Sequence, residues 1–430
     1  MLASAAMQTR ASSEQIRRVT QAEADAICAR HERLWKARPG GARAVFTRLD
    51  LSGLDLSGRT LTDADFTGAV LVGCNLAGTR LDNANFFGAD LREADLSDAS
   101  LRRTDLRGAC LRGANLSGAD LFEADLREGA LAAADSSGGF RVIKPDGRPS
   151  DAQGVSLVGA NLERSKMAGI IAVKADFTDA VMRDCKLVRA NLKQATLTGV
   201  DLAGADLSGA DLSGADLTDA VLVGVRTQNW RTDGADLTGV LTDKGSGLAN
   251  VSPQVAAERL GAHARWCETE GAEGSPSVFD DLDLRLLQSV RGFNLTALSA
   301  RRAIFYGLDM EGVKLQGAHL EGADLRSCRL RGADLRGARL AGARLNGADL
   351  REAQLGPLVI GHERLLAADL TGAVLRGADL SGADLRHACL VEADLRRARL
   401  SGAMTRQTDF ALARLAGALG LETDVHEESA

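Results

Sequence analysis

The sequence contains few aromatic residues and little proline. Its 430 residues include 3% aromatic side chains, a single Tyr and 6 Pro. A core built on large rings is therefore excluded, and small and aliphatic side chains must fill whatever core exists. No apolar run approaches the roughly 18 to 20 residues of a membrane-spanning helix, and the first residues lack the pattern of a secretory signal. We expect a cytoplasmic protein that does not contact a membrane.

Cysteine and charge set further limits. The 7 Cys are scattered between positions 28 and 389 without a CxxC pair, which fits neither a disulfide framework nor a zinc site. We expect no metal and no cofactor. The 52 Lys and Arg against 58 Asp and Glu give a net charge of −6, which argues against direct binding of nucleic acid through overall basicity.

What the sequence has in abundance is a five-residue repeat. Leu, Phe or Met recurs in steps of five in three arrays, at 46–131, 157–237 and 295–415, the last with 25 repeats. The stretch ADLSGADLSGADL at 205–217 shows the pattern, with Ala two residues before Leu, Asp or Asn one before it, and Gly two after it. We call each such repeat a pentapeptide.

A period of five excludes an α-helix, because five steps of about 100° turn successive Leu residues away from a common face. In extended backbone, residues two apart share a face. The Ala and Leu of each pentapeptide therefore point inward, the Asp between them points outward, and Gly accepts the backbone angles of a turn. Cys74, Cys185 and Cys328 occupy inward positions, so we expect them to be buried core residues.

The spacing of three phenylalanines predicts the number of pentapeptides per coil. Phe46, Phe66 and Phe86 lie 20 residues apart, so four pentapeptides per coil would stack their rings, whereas three would scatter them. With that register, the A(D/N)LxG pattern at 46–131, 157–237 and 290–415 resembles the pentapeptide-repeat family. The resemblance implies an all-β solenoid, a right-handed four-sided (quadrilateral) β-helix.

The segments outside the arrays predict two modules in tandem. Each module should consist of an N-terminal capping α-helix followed by a β-helix. The predicted boundaries are 1–45 for the N-terminal segment and first helix, 46–245 for the first β-helix with a side loop at 132–156, 246–280 for the linker and second helix, 281–420 for the second β-helix, and 421–430 for a flexible tail.

The two predicted helices have matching features. Thr20 begins the first with a capping-box pattern, and Ser252 followed by Pro begins the second. An open β-helix end exposes strand edges that need a cover, so we expect Trp35 and Trp266 to be buried against the first coil of their own modules. In each helix a His precedes this Trp, and we expect it to bond to nearby backbone.

The interruption at 132–156 predicts a hairpin or ordered loop at the side of the coil. Its segment FRVIKPDGRP places Pro-Asp-Gly between extended flanks, a typical turn sequence. Some members of the family use side loops to touch partners, which makes Phe140, Arg141, Ile143 and Lys144 candidate partner-binding residues. The alternative is a loop that folds back on the coil and binds nothing.

Outward aspartates form a candidate acidic surface, represented by Asp201, Asp206, Asp211 and Asp216. They do not indicate catalysis, because side chains on a convex coil diverge, whereas general acid–base chemistry needs groups directed into one cleft. We predict no catalytic residue and no enzymatic activity.

Repeat spacing also predicts which aspartates are neighbours. Asp105 and Asp125 should lie together on one face of a four-sided coil, and so should Asp349 and Asp369. Such stacked pairs follow from the repeat itself and do not indicate a catalytic dyad.

Charge differs between the modules. Residues 47–131 carry a net charge of −5, and residues 295–415 carry +4. The predicted function is a non-enzymatic protein–protein interaction scaffold with an unknown partner, and self-association through the C-terminal end is a further option. The alternative implied by the family is a mimic of DNA that binds or modulates a type II topoisomerase (DNA gyrase) with a quinolone-protecting role. Direct nucleic-acid binding through Arg326, Arg331, Arg336, Arg376 and Arg396 is disfavoured, because Asp residues separate them and no exposed aromatic platform accompanies them.

Overall fold

A computed structural model describes residues 16–129, 131–134, 140–143, 150–243, 249–287, 289–360 and 364–421. The chain divides into two compact units, residues 1–242 and 243–430. The elements of the described residues are β1 Arg17–Arg18, α1 Gln21–Trp35, β2 Leu49–Asp50, β3 Leu131–Ala134, β4 Phe140–Ile143, β5 Ala249–Asn250, α2 Pro253–Glu268, β6 Leu282–Asp283, β7 Leu358–Ile360 and β8 Arg364–Leu366.

Both units are coils with four pentapeptides per turn. The outward residue of one pentapeptide forms a parallel bridge with the residue 20 positions later, as Asp55 does with Asn75 and Asn75 with Asp95. Main-chain bonds such as Leu56 N–H to Asn75 O at 2.7 Å hold adjacent coils together. Because each side of the coil contributes one such ladder, the backbone polar groups are satisfied between coils.

The core follows the inward positions. Inward Leu and Ala side chains are nearly all fully buried, and the rings of Phe46, Phe66 and Phe86 stack with centroids 4.9 Å and 4.6 Å apart. This geometry agrees with the four-pentapeptide register. The inward cysteines Cys74 and Cys185 are buried as expected, and burial raises the pKa of each thiol to about 12.

The first unit contains an insertion. Cys110 bridges Asp151, which lies 41 positions later instead of 20. Leu131 is not the last inward residue of the first array, as its spacing predicts, because it begins β3, which pairs antiparallel with β4. Ala152 is fully buried and takes the inward position in its place.

The second unit contains an insertion that the repeat conceals. Arg339 bridges Asp369, a spacing of 30 positions. Ile360 and Leu365 fall on the five-residue period but lie in the antiparallel strands β7 and β8. The prediction of 25 consecutive coil pentapeptides is therefore wrong, because two of them form a hairpin.

Helix α1 lies against the first coil of its unit. Ala24, Cys28 and His31 are its buried residues, and the main-chain N–H of Ala44 donates to His31 Nδ1 at 3.0 Å. Gln21 forms two hydrogen bonds with the Asp55 backbone. Strand β1 pairs in parallel with β2 beside it.

Helix α2 repeats this arrangement in the second unit. Ala256, Leu260 and His263 are its buried residues, and the N–H of Ser277 donates to His263 Nδ1 at 2.9 Å. The other ring nitrogen of His263 lies 3.0 Å from Thr296 O. Strand β5 pairs in parallel with β6.

The expected role of the tryptophans is wrong. Trp35 is 53% exposed, and Trp266 is only half-buried. Small side chains and one His lie between each helix and its coil, so the helix backbone approaches closely and leaves no room for an indole beneath it. His31 and His263, 2% and 1% exposed, occupy the position that we expected for Trp.

Candidate protein-interaction surfaces

Outward residues of the first unit form four ladders, one on each side of the coil. One ladder carries Asp, Asn, Ser and Thr alone: Asp55, Asn75, Asp95, Asn115, Ser156, Asp176, Thr196, Asp216 and Asp236. We define the acidic face as the four-residue segments that start at these nine positions. At about 4.8 Å per coil, this face is roughly 38 Å long.

The acidic face contains no Lys or Arg. Its carboxylates are Asp55, Asp95, Asp98, Asp176, Asp179, Asp216, Asp219 and Asp236. Ser or Thr follows the inward residue in most of the segments. The face thus combines negative charge with small hydroxyl side chains, and no bulky group rises above it.

Local hydrogen bonds keep these carboxylates ionised. The N–H groups of Ser57 and Thr238 donate to Asp55 and Asp236, at 3.0 Å and 2.9 Å. These bonds hold the pKa of both carboxyls below its usual value. At Asp216, burial opposes the shift, but hydrogen bonds from Thr218 and Thr198 lower the pKa overall. The face therefore carries its full charge at neutral pH.

The four aspartates proposed from the sequence do not form one surface. Asp201, Asp206, Asp211 and Asp216 belong to four different ladders, because successive pentapeptides occupy successive sides. Arg183 pairs with Asp201 at 2.6 Å, and Arg231 pairs with Asp211 at 3.1 Å. Only Asp216 lies on the acidic face. Reading every fourth pentapeptide, with the insertion removed, would have found the face.

Aspartates of the second unit are largely neutralised by arginine. In a recurring Asp-x-Arg pattern, the guanidinium binds the carboxylate two residues earlier, as Arg336 binds Asp334 at 2.7 Å and Arg351 binds Asp349 at 2.6 Å. The arginine favoured for nucleic-acid contact at 326 is 4% exposed and paired with Asp324 at 2.5 Å. Such pairs are bidentate and geometrically fixed.

One side of the second unit is nevertheless basic. Its ladder and the neighbouring outward positions contain Arg285, Arg326, Arg344, Arg376, Arg396, Arg397 and Arg414 against Asp283, Asp324 and Asp394. Arg331 and Arg336 lie on other sides. The five arginines considered for nucleic acid therefore do not share a face.

The stacked aspartate pairs have different outcomes. Asp105 and Asp125 bridge each other as expected, and they line an open groove of about 540 Å³ with Arg103, Thr104, Arg107, Glu123, Arg164 and Lys166. Arg107 and Arg127 bind these two carboxylates at 2.6 Å and 2.7 Å. The prediction for Asp349 and Asp369 is wrong: Asp349 bridges Asp379, because the second insertion displaces the ladder.

The loop candidates lie on the first hairpin. Phe140, Arg141 and Ile143 belong to β4, where they pair with Ala134, Ala133 and Leu131 of β3. Lys144 lies outside the described residues. Whether this hairpin binds a partner stays a prediction.

Searches for other kinds of site give two negative findings within the described part of the chain. No group of three or more His, Cys, Asp or Glu could hold a metal ion there. Neither α1 nor α2 is long and apolar enough to cross a membrane.

The coil geometry and the A(D/N)LxG pattern define a solenoid of pentapeptide repeats. The family model for pentapeptide repeats matches residues 60–98, 99–135, 156–194, 185–224, 318–355 and 364–402. The chain belongs to the pentapeptide-repeat family, whose members form right-handed quadrilateral β-helices. Proteins of this family are generally non-enzymatic.

Solved structures of the same family resemble the chain. HetL, a pentapeptide repeat protein involved in heterocyst differentiation regulation from the cyanobacterium Nostoc, is 26% identical over 91% of this chain and 94% of its own, with a TM-score of 0.14. QnrB1, a plasmid-mediated fluoroquinolone resistance protein, is 21% identical over 51% of this chain and 96% of its own, with a TM-score of 0.25. Rfr23 from the cyanobacterium Cyanothece is 26% identical over 32% and 91%, with a TM-score of 0.18. A search of curated proteins finds no match.

Proposed function

We propose that this chain is a non-enzymatic scaffold that binds another protein through the acidic face of its first unit. The observation that supports this proposal is the uninterrupted ladder from Asp55 to Asp236, which has carboxylates but no Lys or Arg. A convex, rigid face of one charge offers no reaction cleft, but it complements a basic surface on a partner and speeds their encounter.

The two helices support this role structurally. We infer that α1 and α2 cover the N-terminal ends of the two β-helices. Each helix is bound to its first coil through a buried His, and each has a parallel strand pair beside it. Covered ends prevent strand pairing with other chains, which leaves the long sides as the surfaces for recognition.

Neutralising the acidic face tests the proposal. The variant Asp176→Asn, Asp216→Asn, Asp219→Asn and Asp236→Asn removes four charges and leaves the coil intact, because Asn also accepts the turn hydrogen bond. We expect it to lose the partners that the unaltered chain retains from an extract of its own cells. A matched control neutralises Asp90, Asp105, Asp125 and Asp151 on other sides and should retain them. Equal retention by both variants would rule out the acidic face as the binding surface.

The second candidate function is mimicry of duplex DNA toward a type II topoisomerase. The same face supports it, because evenly spaced charges along about 38 Å approximate a nucleic-acid backbone. Some members of the resembled family act in this way, and a quinolone-protecting role would follow. The full chain should then inhibit supercoiling by DNA gyrase, and the inhibition should weaken as salt rises. Supercoiling that proceeds unchanged at micromolar protein would exclude this candidate and leave the general scaffold in place.

Two further contacts remain proposals. Deleting 136–148 should weaken partner retention if the first hairpin takes part, and the hairpin residues Phe140, Arg141 and Ile143 are the positions to substitute next. The C-terminal coil exposes Met404, Leu412 and Leu419, which supports self-association there. Sedimentation of a Leu412→Asp, Leu419→Asp variant against the unaltered chain tests that contact: an unchanged mass excludes it.

A further inference from the structure

The second hairpin, β7 and β8, presents an apolar surface to solvent. Val359, Ile360 and Leu365 are 64%, 45% and 55% exposed. Val359 and Leu365 are paired in register, so they lie on the same face of the hairpin. Clustered exposed aliphatic side chains on a soluble protein indicate a contact surface.

This hairpin is held in place at its base. Leu358 and Leu366 pair in register and pack over Gly337 of the coil. A Cβ atom on Gly337 would lie 2.9 Å from Leu366 Cδ2 and 3.0 Å from Leu358 Cβ. Since residues alternate between faces along a strand, seating these two leucines directs Val359 and Leu365 away from the coil. The exposed face is therefore preformed.

Its strand edges are available as well. Strands β7 and β8 form a two-stranded sheet, and no third strand joins them among the described residues. A two-stranded hairpin gains stability from an added strand or a packed face. Extended peptides bind to such edges through main-chain hydrogen bonds, and alternate side chains provide specificity.

The charges beside the hairpin are positive. Arg364 is exposed and lies opposite Ile360 in the register. Arg339 is exposed on the adjoining coil, two residues after Gly337. Within the part of the chain that the structure describes, neither guanidinium forms an ion pair. The neighbouring acids Asp334 and Asp384 are already bound by Arg336 and Arg386 at 2.7 Å and 2.8 Å.

We propose that the β7–β8 hairpin binds an extended segment of a partner protein in which aliphatic side chains alternate with carboxylates. The aliphatic side chains cover Val359 and Leu365, the carboxylates pair with Arg364 and Arg339, and the backbone adds a strand to the hairpin edge. This site is separate from the acidic face, and it stands or falls independently of what binds there.

Two synthetic peptides of equal length test the proposal, one alternating Leu with Asp and the other alternating Leu with Lys. Each carries a fluorophore, and its binding to the full chain is followed by anisotropy. The variant Val359→Asp, Leu365→Asp removes the apolar face, and Arg364→Glu reverses the local charge. Leu412→Asp alters an equally exposed leucine elsewhere in the second unit and serves as the control. The Lys peptide also has the acidic face available, so only the binding that is lost in Val359→Asp, Leu365→Asp counts.

We expect the Asp peptide to bind about tenfold more tightly than the hairpin-dependent part of the Lys peptide. Arg364→Glu should reverse that order, and Leu412→Asp should change nothing. Amide exchange at 358–360 and 364–366 should slow when the Asp peptide binds. Equal hairpin-dependent affinities, no binding of either peptide, or unchanged binding to Val359→Asp, Leu365→Asp overturns the proposal.

Discussion

Each of the two units is a four-sided coil with one hairpin insertion, yet only the first insertion disturbs the five-residue period. The ladder spacing at the first is 41 positions, and at the second it is 30. Relative to a coil of 20, these spacings leave extra segments that do and do not shift the phase of the repeat. Ile360 and Leu365 keep the period while leaving the coil. Period alone therefore reports composition, and only the ladder reports the path of the chain.

The two units also differ where packing imposes nothing. Inward positions are occupied in both by buried Leu and Ala, whereas outward positions carry an acidic face in the first unit and Asp-x-Arg pairs in the second. The core selects for size and shape, so it is nearly the same in both. The outward residues are free to vary, and the difference in charge is where we expect function to reside.

The aromatic ladder should make the first unit the more sensitive to a single core change. Replacing Phe66 by Ala removes the middle ring of three, and we expect a loss of about 3 to 5 kcal/mol in the free energy of unfolding. Because the units have separate cores, the loss should appear in the transition of the first unit only. Denaturant unfolding with hydrogen exchange measures both. A uniform loss over both units would contradict separate cores.

The seat of the second hairpin can be tested with glycines of the same backbone conformation. Gly337 and Gly332 both have φ of +62°, but a Cβ on Gly332 would meet nothing within 4 Å. Ala at either position suffers the left-handed cost of about 1 to 2 kcal/mol. Gly337→Ala should cost about 1 to 3 kcal/mol more, because it collides with Leu358 and Leu366. Equal thermal stabilities for the two variants would mean that the hairpin is not seated there.

The helix contacts should weaken in acid in both units. Burial lowers the pKa of His31 and His263, and each Nδ1 accepts a main-chain hydrogen bond that a protonated ring cannot accept. As pH falls below the ordinary value near 6.5, the unfolded state binds protons that the folded state does not, so stability is lost.

Fluorescence of Trp35 and Trp266 measures this loosening. Asn at position 31 or 263 retains an acceptor but does not titrate, so each variant should remove the pH dependence of its own helix. The Nε2 atom of His31 is buried without a hydrogen-bond partner, whereas that of His263 meets Thr296 O. We therefore expect α1 to loosen first, and a pH-independent signal from both tryptophans would contradict this account.

The smallest effect on stability should come from the acidic face. Asp216→Asn keeps the turn hydrogen bond and is accessible to water, so we expect a change within about 0.5 kcal/mol. Thermal unfolding measures it. A large gain on neutralisation would indicate that repulsion along the ladder strains the coil, in contrast to the paired aspartates of the second unit.

Much of the fold follows from the sequence, because one five-residue pattern determines strand, corner and interior at once. Phe46, Phe66 and Phe86 also predict the coil size. The acidic face does not follow as directly, because its members lie 20 residues apart and the insertion after Leu126 displaces the later ones. Trp35 shows the other limit: how closely a helix approaches its coil depends on the small residues between them, and no pattern in the sequence gives that distance.

The most direct test of the central claim is quantitative mass spectrometry of proteins retained from the native cell extract by three baits. The baits are the unaltered chain, the acidic-face variant at 176, 216, 219 and 236, and the control variant at 90, 105, 125 and 151. We predict one or more proteins retained by the unaltered chain and by the control but lost from the acidic-face variant. Partners retained equally by all three baits would contradict a function carried by the acidic face.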